Sequence, residues 1–284
     1  MILVTGASGK TGTEVARRLS AAGTPFRVLV RSAEKGAPLA AMGAEVALGD
    51  LADEASARQA LDGISKAVLI MPNGEQQQAM ETRFTDLSVE AGVRQLVYLS
   101  SIESVPENKN PITQMHVAVQ NHIRQSGIGW TMIRPSFFMQ MFMSSAPAIR
   151  ERGELVMPTG QGTVATTDLR DVAEVIELVL TADGHTGKSY DLTGPELLTL
   201  ADCAARFTKV LGREVRHVDP PLEAFAERLR AVGLPEWRVN AVCKEFEAIQ
   251  RGIIDHTTPT VAELLGRPPR SLEDFITDHI DLFR

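Results

Sequence analysis

Apolar positions come in short unbroken runs through the first half of the chain, and helical spacing fills the gaps between them. Ile2–Val4, Phe26–Val30, Glu45–Leu48 and residues 67–71, 96–99 and 130–133 each have the length and apolar content of a strand. Unbroken apolar strands are buried on both faces, as in a parallel sheet covered by helices. Between them, Val15 and Leu19 share a helical face. Met80, Phe84, Leu87 and Ala91 recur at helical spacing and stop at Gly92, and Ile112, Met115, Val119 and Ile123 repeat the pattern up to Gly127. Core packing is the role these positions predict. Repeated strand–helix units imply an α/β fold, a Rossmann doubly wound parallel sheet with right-handed crossovers and ligands at the carboxyl ends of its strands.

Beyond Pro135 the alternation fails. Residues 137–143 crowd Phe137, Phe138, Met139, Met141, Phe142 and Met143 around one glutamine. Such a cluster suits either a buried helix or an adaptable wall for a flat apolar ligand. Further helices are expected at Leu200–Leu211, 222–232 and 238–249. The predicted domains are a dinucleotide-binding unit over 1–150, to which later segments return, and a smaller, mostly helical substrate-side cap over 151–284.

The opening carries the first chemistry. The strand Ile2–Val4 is followed by Thr5, and Gly6-Ala7-Ser8-Gly9-Lys10-Thr11-Gly12 then leads into a helix. A glycine-rich turn at a helix start aims backbone N–H groups and the positive helix end at one spot, which suits a pyrophosphate. Gly6 permits the turn, Gly9 admits the phosphate to the backbone, and Gly12 lets the helix pack on the strand. Gly9-Lys10-Thr11 also matches the end of a triphosphate-binding loop, but Val4 stands where that loop needs its first glycine, so an ATPase is rejected.

At the end of the second strand Arg31 stands about where NAD-preferring proteins carry an acid. A cation there is either a solvated surface group or a partner for a 2′-phosphate, and it favours NADP(H) over NAD(H).

Composition narrows the partners. The 284 residues are 44% hydrophobic and 23% charged, with a net charge of −7 and no basic cluster, which argues against nucleic acid. No apolar stretch has membrane-spanning length, and a strand beginning at Ile2 leaves no room for a targeting peptide. Cys203 and Cys243 lack C-x-x-C spacing and are expected to be reduced, buried thiols; the histidines show no metal-ligand spacing. A cytoplasmic enzyme or binding protein is the class that remains, and a homodimer is left open.

The chain resembles the NmrA-like atypical short-chain dehydrogenase/reductases, most of all the quinone-reductase and triphenylmethane-reductase type. The resemblance runs through the glycine loop, Val30-Arg31-Ser32, Gly49-Asp50-Leu51, Gly92-Val93 before Leu96-Val97-Tyr98, and His116 with Ile123-Arg124-Gln125-Ser126-Gly127-Ile128. It continues in Thr131-Met132-Ile133-Arg134-Pro135, Asp171-Val172-Ala173, Val232-Gly233-Leu234-Pro235 and Leu265-Gly266-Arg267-Pro268-Pro269. The resemblance implies that the loop from Gly6 to Gly12 holds the pyrophosphate and that Arg31 meets the 2′-phosphate. It implies that Asp50 and Leu51 border the adenine, with Asp50 accepting from its amino group. Met71, Pro72 and Asn73 would line the ribose, and Pro135, Ser136, Phe137 and Phe138 would flank the nicotinamide. Asp171 is read as a helix cap.

The usual Tyr-x-x-x-Lys acid is missing: position 102 is Ile102 for Tyr98, and position 194 is Gly194 for Tyr190. Tyr98 is expected to pack within a strand. His116 stands where relatives carry a cofactor-facing His or Lys, and two roles are open. It is a donor titrating near neutral pH, or a helix-surface residue bonded to backbone. Gln120 replaces the glutamate usual one turn away and removes a charge partner for His116. Ser100 and Ser101 either reach the nicotinamide or cap a loop. Two functions fit: an NADPH-dependent reductase passing hydride to a flat aromatic acceptor walled by Phe137, Phe138 and Met141, or a non-catalytic NADP-sensing regulator with a protein partner. In the first, the proton is expected to come from water.

Overall fold

The computed structural model describes residues 1–253 and 255–284. The first half alternates: β1 (Ile2–Val4), α1 (Lys10–Ala21), β2 (Phe26–Val30), α2 (Ala33–Ala41), β3 (Glu45–Leu48), α3 (Glu54–Leu61), β4 (Lys66–Leu69), α4 (Gln77–Glu90), β5 (Gln95–Leu99), α5 (Pro111–Gln125) and β6 (Gly129–Pro135). A 3-10 helix (Met139–Ser145) follows, then α6 (Ala146–Arg152), β7 (Glu154–Val156), β8 (Thr163–Val164), α7 (Leu169–Thr181), β9 (Lys188–Leu192), β10 (Leu198–Thr199) and α8 (Leu200–Leu211). The chain ends through β11 (Arg216–Val218), α9 (Leu222–Ala231), α10 (Glu236–Gln250), α11 (Thr260–Leu265), α12 (Leu272–Asp278) and α13 (Ile280–Phe283).

One sheet has the order β3-β2-β1-β4-β5-β6-β9, and its first six strands pair in parallel. The order reverses between β1 and β4, the place where doubly wound sheets bind ligands. Leu3, Leu69, Leu96 and Tyr98 are fully buried in its core. The exception is β3, an edge strand on which Leu48 is 57% exposed, because only one side of it is covered by a neighbour. Amphipathic α1 buries Gly12, Val15, Ala16 and Leu19, as the spacing of Val15 and Leu19 anticipates.

Two helices keep only part of their expected apolar faces in the core. Gly92 ends α4 with φ 73°, at the expected stop. The buried stripe of α4, however, is Gln77, Glu81, Phe84, Thr85, Leu87 and Ser88, while Met80 is half-buried and Ala91 exposed. On α5 the buried positions are Thr113, His116, Val119, Gln120 and Ile123. Phe84, Leu87, Val119 and Ile123 are buried as expected, and apolar periodicity misses only the polar side chains that share both faces.

The chain forms two compact units, one of residues 1–104, 115–134 and 169–190, the other of 105–114, 135–168 and 191–284. The segment that returns to the sheet unit is 169–190, with α7, whereas 135–150, expected in the first unit, groups with the second. The second unit is rich in helices and takes up nearly as much chain as the first. It holds two small sheets, β8 with β10 antiparallel and β7 with β11 parallel. Its core contains a run of rings: Phe137 to Phe142 at 5.8 Å, Phe142 to Phe207 at 5.7 Å, Phe207 to Phe283 at 4.9 Å. No helix among the described residues is long and apolar enough to cross a membrane.

Candidate active site

The glycine loop has the geometry that its residue types demand. Thr5 locks the end of β1 to the segment after β4: its Oγ1 donates to the Ile70 carbonyl at 3.0 Å and accepts from the Ile70 N–H at 2.8 Å. Gly6 then turns with φ 59°, and a Cβ there would lie 2.5 Å from the Ile70 oxygen. At Gly12 a Cβ would strike the Gly6 carbonyl and stand 2.7 Å from Ala7 Cα, so α1 can pack this closely only without a side chain. Gly9 is the N-cap of α1 and supplies no side-chain bond, and no acid occupies the first turn. The donors of that turn and the positive end of the helix are therefore left for an anion, beside exposed Ser8, Gly9 and Lys10. A dinucleotide's diphosphate fits this cradle.

Arg31 directly follows β2, exposed, and its side chain makes no hydrogen bond or ion pair among the described residues, next to the N-terminus of α2. A 2′-phosphate would meet an available guanidinium there. Asp50 is half-buried and spends one oxygen on its own loop, accepting from the Ala52 N–H at 2.9 Å. Leu51 is 8% exposed in the sheet core, and its carbonyl accepts from Arg83 at 2.7 Å. Met71 is half-buried, and Pro72 and Asn73 are exposed after β4.

A buried polar chain lies one strand further along the sheet. Tyr98, next to last in β5, reaches across to α4 and α5. Its hydroxyl donates to Glu81 Oε2 at 2.9 Å and lies 2.6 Å from His116 Nδ1. Gln77 Nε2 donates to the other Glu81 oxygen at 3.2 Å. Tyr98, Glu81 and His116 are 0%, 1% and 7% exposed. Burial pushes the Glu81 carboxyl up to about 7, against the pull of Tyr98 and Gln77. Burial also raises the Tyr98 hydroxyl, helped by the nearby Glu81 charge, and drives His116 down to about 4. His116 is therefore neither a surface residue nor a group that gains charge near neutral pH, and Tyr98 does more than pack. Glu81 went unnoticed in the sequence, although it lies in helical phase with Phe84, Thr85 and Ser88.

Gln120 turns away from His116. It donates to Ser100 Oγ at 2.9 Å and accepts from Arg124 at 3.1 Å. Ser101 caps its own loop by accepting from the Glu103 N–H at 3.2 Å. Tyr190 is bonded to His185 Nδ1 at 2.7 Å.

At the end of β6, Pro135 and the following Ser136 are buried, and the Ser136 hydroxyl is enclosed with no hydrogen-bond partner among the described residues, an atom a ligand could satisfy. The cluster that follows is divided. Phe137 packs on Phe142 in the core, Phe138 is half-buried, and Met141 is 51% exposed on a 3-10 turn. Of the two alternatives, a buried helix or a wall for a ligand, the segment forms a 3-10 helix that buries Met139 and Phe142 and leaves Met141 outside. Cys203 is fully buried, its thiol raised to about 12, whereas Cys243 is only half-buried. Cys243 lines a separate depression of about 390 Å³ with Leu222, Arg230 and Trp237, remote in sequence from every residue above.

Residues 1–276 match the model of the NmrA-like family. An NAD(P)H azoreductase of Xenophilus azovorans is 35% identical over 283 residues, covering 100% of this chain and 99% of its own. A (4-alkanoyl-5-oxo-2,5-dihydrofuran-3-yl)methyl phosphate reductase of Streptomyces griseus is 37% identical over 284 residues, covering 100% of this chain and 99% of its own. Among solved structures, the NADPH complex of an NADPH-dependent quinone oxidoreductase from Escherichia coli superposes with a TM-score of 0.90 at 28% identity, over 99% of this chain and 100% of that one.

Proposed function

The chain belongs to the NmrA-like family, and from that premise we propose that it is an NADPH-dependent reductase that passes hydride to a flat aromatic acceptor such as a quinone, an azo compound or a dye. The observation that carries the cofactor half is the cradle at Gly6, Gly9 and Gly12, closed to any Cβ at Gly12 and followed by a helix without a side-chain cap. Lys10 and Thr11 stand at the same helix start. Arg31 supports the phosphorylated cofactor, with Asp50, Leu51, Met71, Pro72 and Asn73 along the adenosine half. Pro135, Ser136, Phe137 and Phe138 would flank the nicotinamide, with the unpaired Ser136 hydroxyl offered to its amide.

Bound there, the cofactor supplies the hydride. The protein's own work is to hold the diphosphate on backbone amides, to select the 2′-phosphate through Arg31, and to present apolar surface to the acceptor at Phe138 and Met141. The acceptor half rests on the azoreductase and quinone oxidoreductase relatives. The buried chain from Glu81 to His116 supports turnover over a purely regulatory role, since a group that can pass a proton serves a reaction and has no use in a sensor.

The test is NADPH oxidation against quinones, azo dyes, cationic dyes and an alkanoyl butenolide, with calorimetric titration of NADPH and NADH alongside. Tight NADPH binding without turnover of any of these would return the protein to the regulatory alternative.

A further inference from the structure

Hydride transfer by itself makes no use of Glu81, Tyr98 or His116, yet three titratable side chains are buried in contact at the carboxyl edge of β5. We propose that they form a proton relay that starts at Glu81, runs through the Tyr98 hydroxyl and ends at Nε2 of His116, which hands a proton to an oxygen or nitrogen of the acceptor. The delivery step rests on the reductase reading above. It replaces the expectation that the proton comes directly from water.

Proton counting along the chain leads to this. The Tyr98 hydroxyl has one proton and two neighbours, Glu81 Oε2 at 2.9 Å and His116 Nδ1 at 2.6 Å. Both contacts can be hydrogen bonds in only two ways when His116 is neutral. In the first, protonated Glu81 donates to Tyr98, Tyr98 donates to Nδ1, and the imidazole proton sits on Nε2. In the second, Glu81 is a carboxylate that accepts from Tyr98, Nδ1–H donates to the Tyr98 oxygen, and Nε2 carries a lone pair. The Glu81 proton thus decides which end of His116 is the donor. Gln77, donating to Oε1 at 3.2 Å, keeps that oxygen an acceptor and reserves Oε2 for the proton.

Passing from the first arrangement to the second moves one proton and no electrons. The Nε2–H bond breaks as an O–H or N–H bond forms on the acceptor. The Tyr98 O–H bond breaks as Nδ1–H forms, and the Glu81 O–H bond breaks as a new Tyr98 O–H forms. Uptake of a solvent proton at Nε2 reverses the shifts and reloads Glu81. Nε2 has no hydrogen-bond partner among the described residues, and His116 is the member of the chain with residual exposure, 7%. A carboxyl near 7 populates both arrangements at neutral pH, and an imidazole near 4 stays neutral, so the change is one of tautomer. The groups hydrogen-bonded within the chain, among the described residues, are Gln77 and Glu81 from α4, Tyr98 from β5 and His116 from α5.

Such a relay matters for acceptors that need a proton with the hydride, a quinone oxygen or an azo nitrogen. A cationic dye, neutral once it has gained hydride, does not need it.

The decisive measurement needs neither cofactor nor turnover. Nitrogen NMR of the histidine-labelled protein, from about pH 5.5 to about pH 8.5, reads the His116 tautomer directly. The expected result is a shift of the unprotonated nitrogen from Nδ1 at low pH to Nε2 at high pH, with a midpoint near the Glu81 value of about 7. Both Glu81→Gln and Tyr98→Phe should abolish it, so either variant serves if the other does not fold. A single tautomer throughout, or a switch that survives in a folded Glu81→Gln protein, overturns the relay. For delivery, Glu81→Gln should lower the ratio of quinone to cationic-dye turnover by about tenfold or more. An unchanged ratio overturns delivery, whereas absence of all NADPH-dependent turnover overturns the reductase reading and leaves the NMR result standing.

Discussion

Tyr98 and His116 meet at 2.6 Å between hydroxyl and Nδ1, their rings tilted by 52°, with the tyrosine in the middle of the sheet and the histidine on the helix that covers it. Neither residue can be protonated or deprotonated without consequence for the other, and Glu81 on the tyrosine's far side makes the coupling three-way.

Stability should carry the imprint of that coupling. The Glu81 carboxyl is raised on folding to about 7, so the folded state holds its proton more tightly, and the associated stability is lost as pH rises from the ordinary carboxylate range through about 7. His116 is lowered to about 4, so its contribution has the opposite sign: stability grows as pH rises from about 4 to its ordinary value. The two oppose each other in the acid range. Replacing Glu81 by Gln removes one arm. Relative to the parent, the variant should gain stability as pH rises, by ~3 kcal/mol at most between about pH 5 and pH 8. Urea unfolding at the two pH values reads this, and parallel profiles would show that Glu81 is not raised.

Cofactor choice should depend on Arg31, exposed and without a partner among the described residues. Arg31→Asp should weaken NADPH binding by about tenfold or more and leave NADH binding much less affected, because only the 2′-phosphate is repelled. Calorimetric titration of both cofactors measures it. Equal losses would place Arg31 outside the phosphate site.

The two later glycines of the loop should behave differently. A Cβ at Gly12 collides with backbone that cannot move without shifting α1, whereas at Gly9 the nearest atom is the Gly6 oxygen at 3.2 Å. Gly12→Ala should lower the melting temperature and abolish NADPH binding. Gly9→Ala should fold normally and bind more weakly, through crowding of the phosphate. Thermal melts with and without NADPH separate the two.

Within the phenylalanine cluster, Phe142 and Phe138 should part company. Phe142 is fully buried against Phe137 and Phe207, so Phe142→Ala should cost about 3–5 kcal/mol of stability. Phe138 is half-buried, and Phe138→Ala should raise KM for the acceptor far more than for NADPH. Denaturation of the first and steady-state kinetics of the second are the checks.

Much of this protein follows from local chemistry. The glycine loop, the strand runs and the helix at Leu200–Leu211 are legible because a turn, a buried strand and an amphipathic helix each demand particular residues at fixed short spacing. That later segments return to the sheet unit is expected from the sequence, but which ones do, and that 135–150 belongs to the second unit, are not legible, because contacts between distant segments leave no local period. Leu48 reads as core and is exposed for the same kind of reason: only the strand order makes β3 an edge.

The site divides along that line. By itself the sequence determined a parallel α/β sheet, a tight glycine turn at Gly6, Gly9 and Gly12 opening a helix, and a cation at Arg31, since each follows from what a few neighbouring residues can do. Only the tertiary structure decided that Glu81, Tyr98 and His116 share one buried chain. They come from α4, β5 and α5, and sequence alone predicted packing for Tyr98 and missed Glu81. Burial among apolar neighbours then moves Glu81 up to about 7 and His116 down to about 4, and desolvation of that kind belongs to the fold, not to any stretch of the chain.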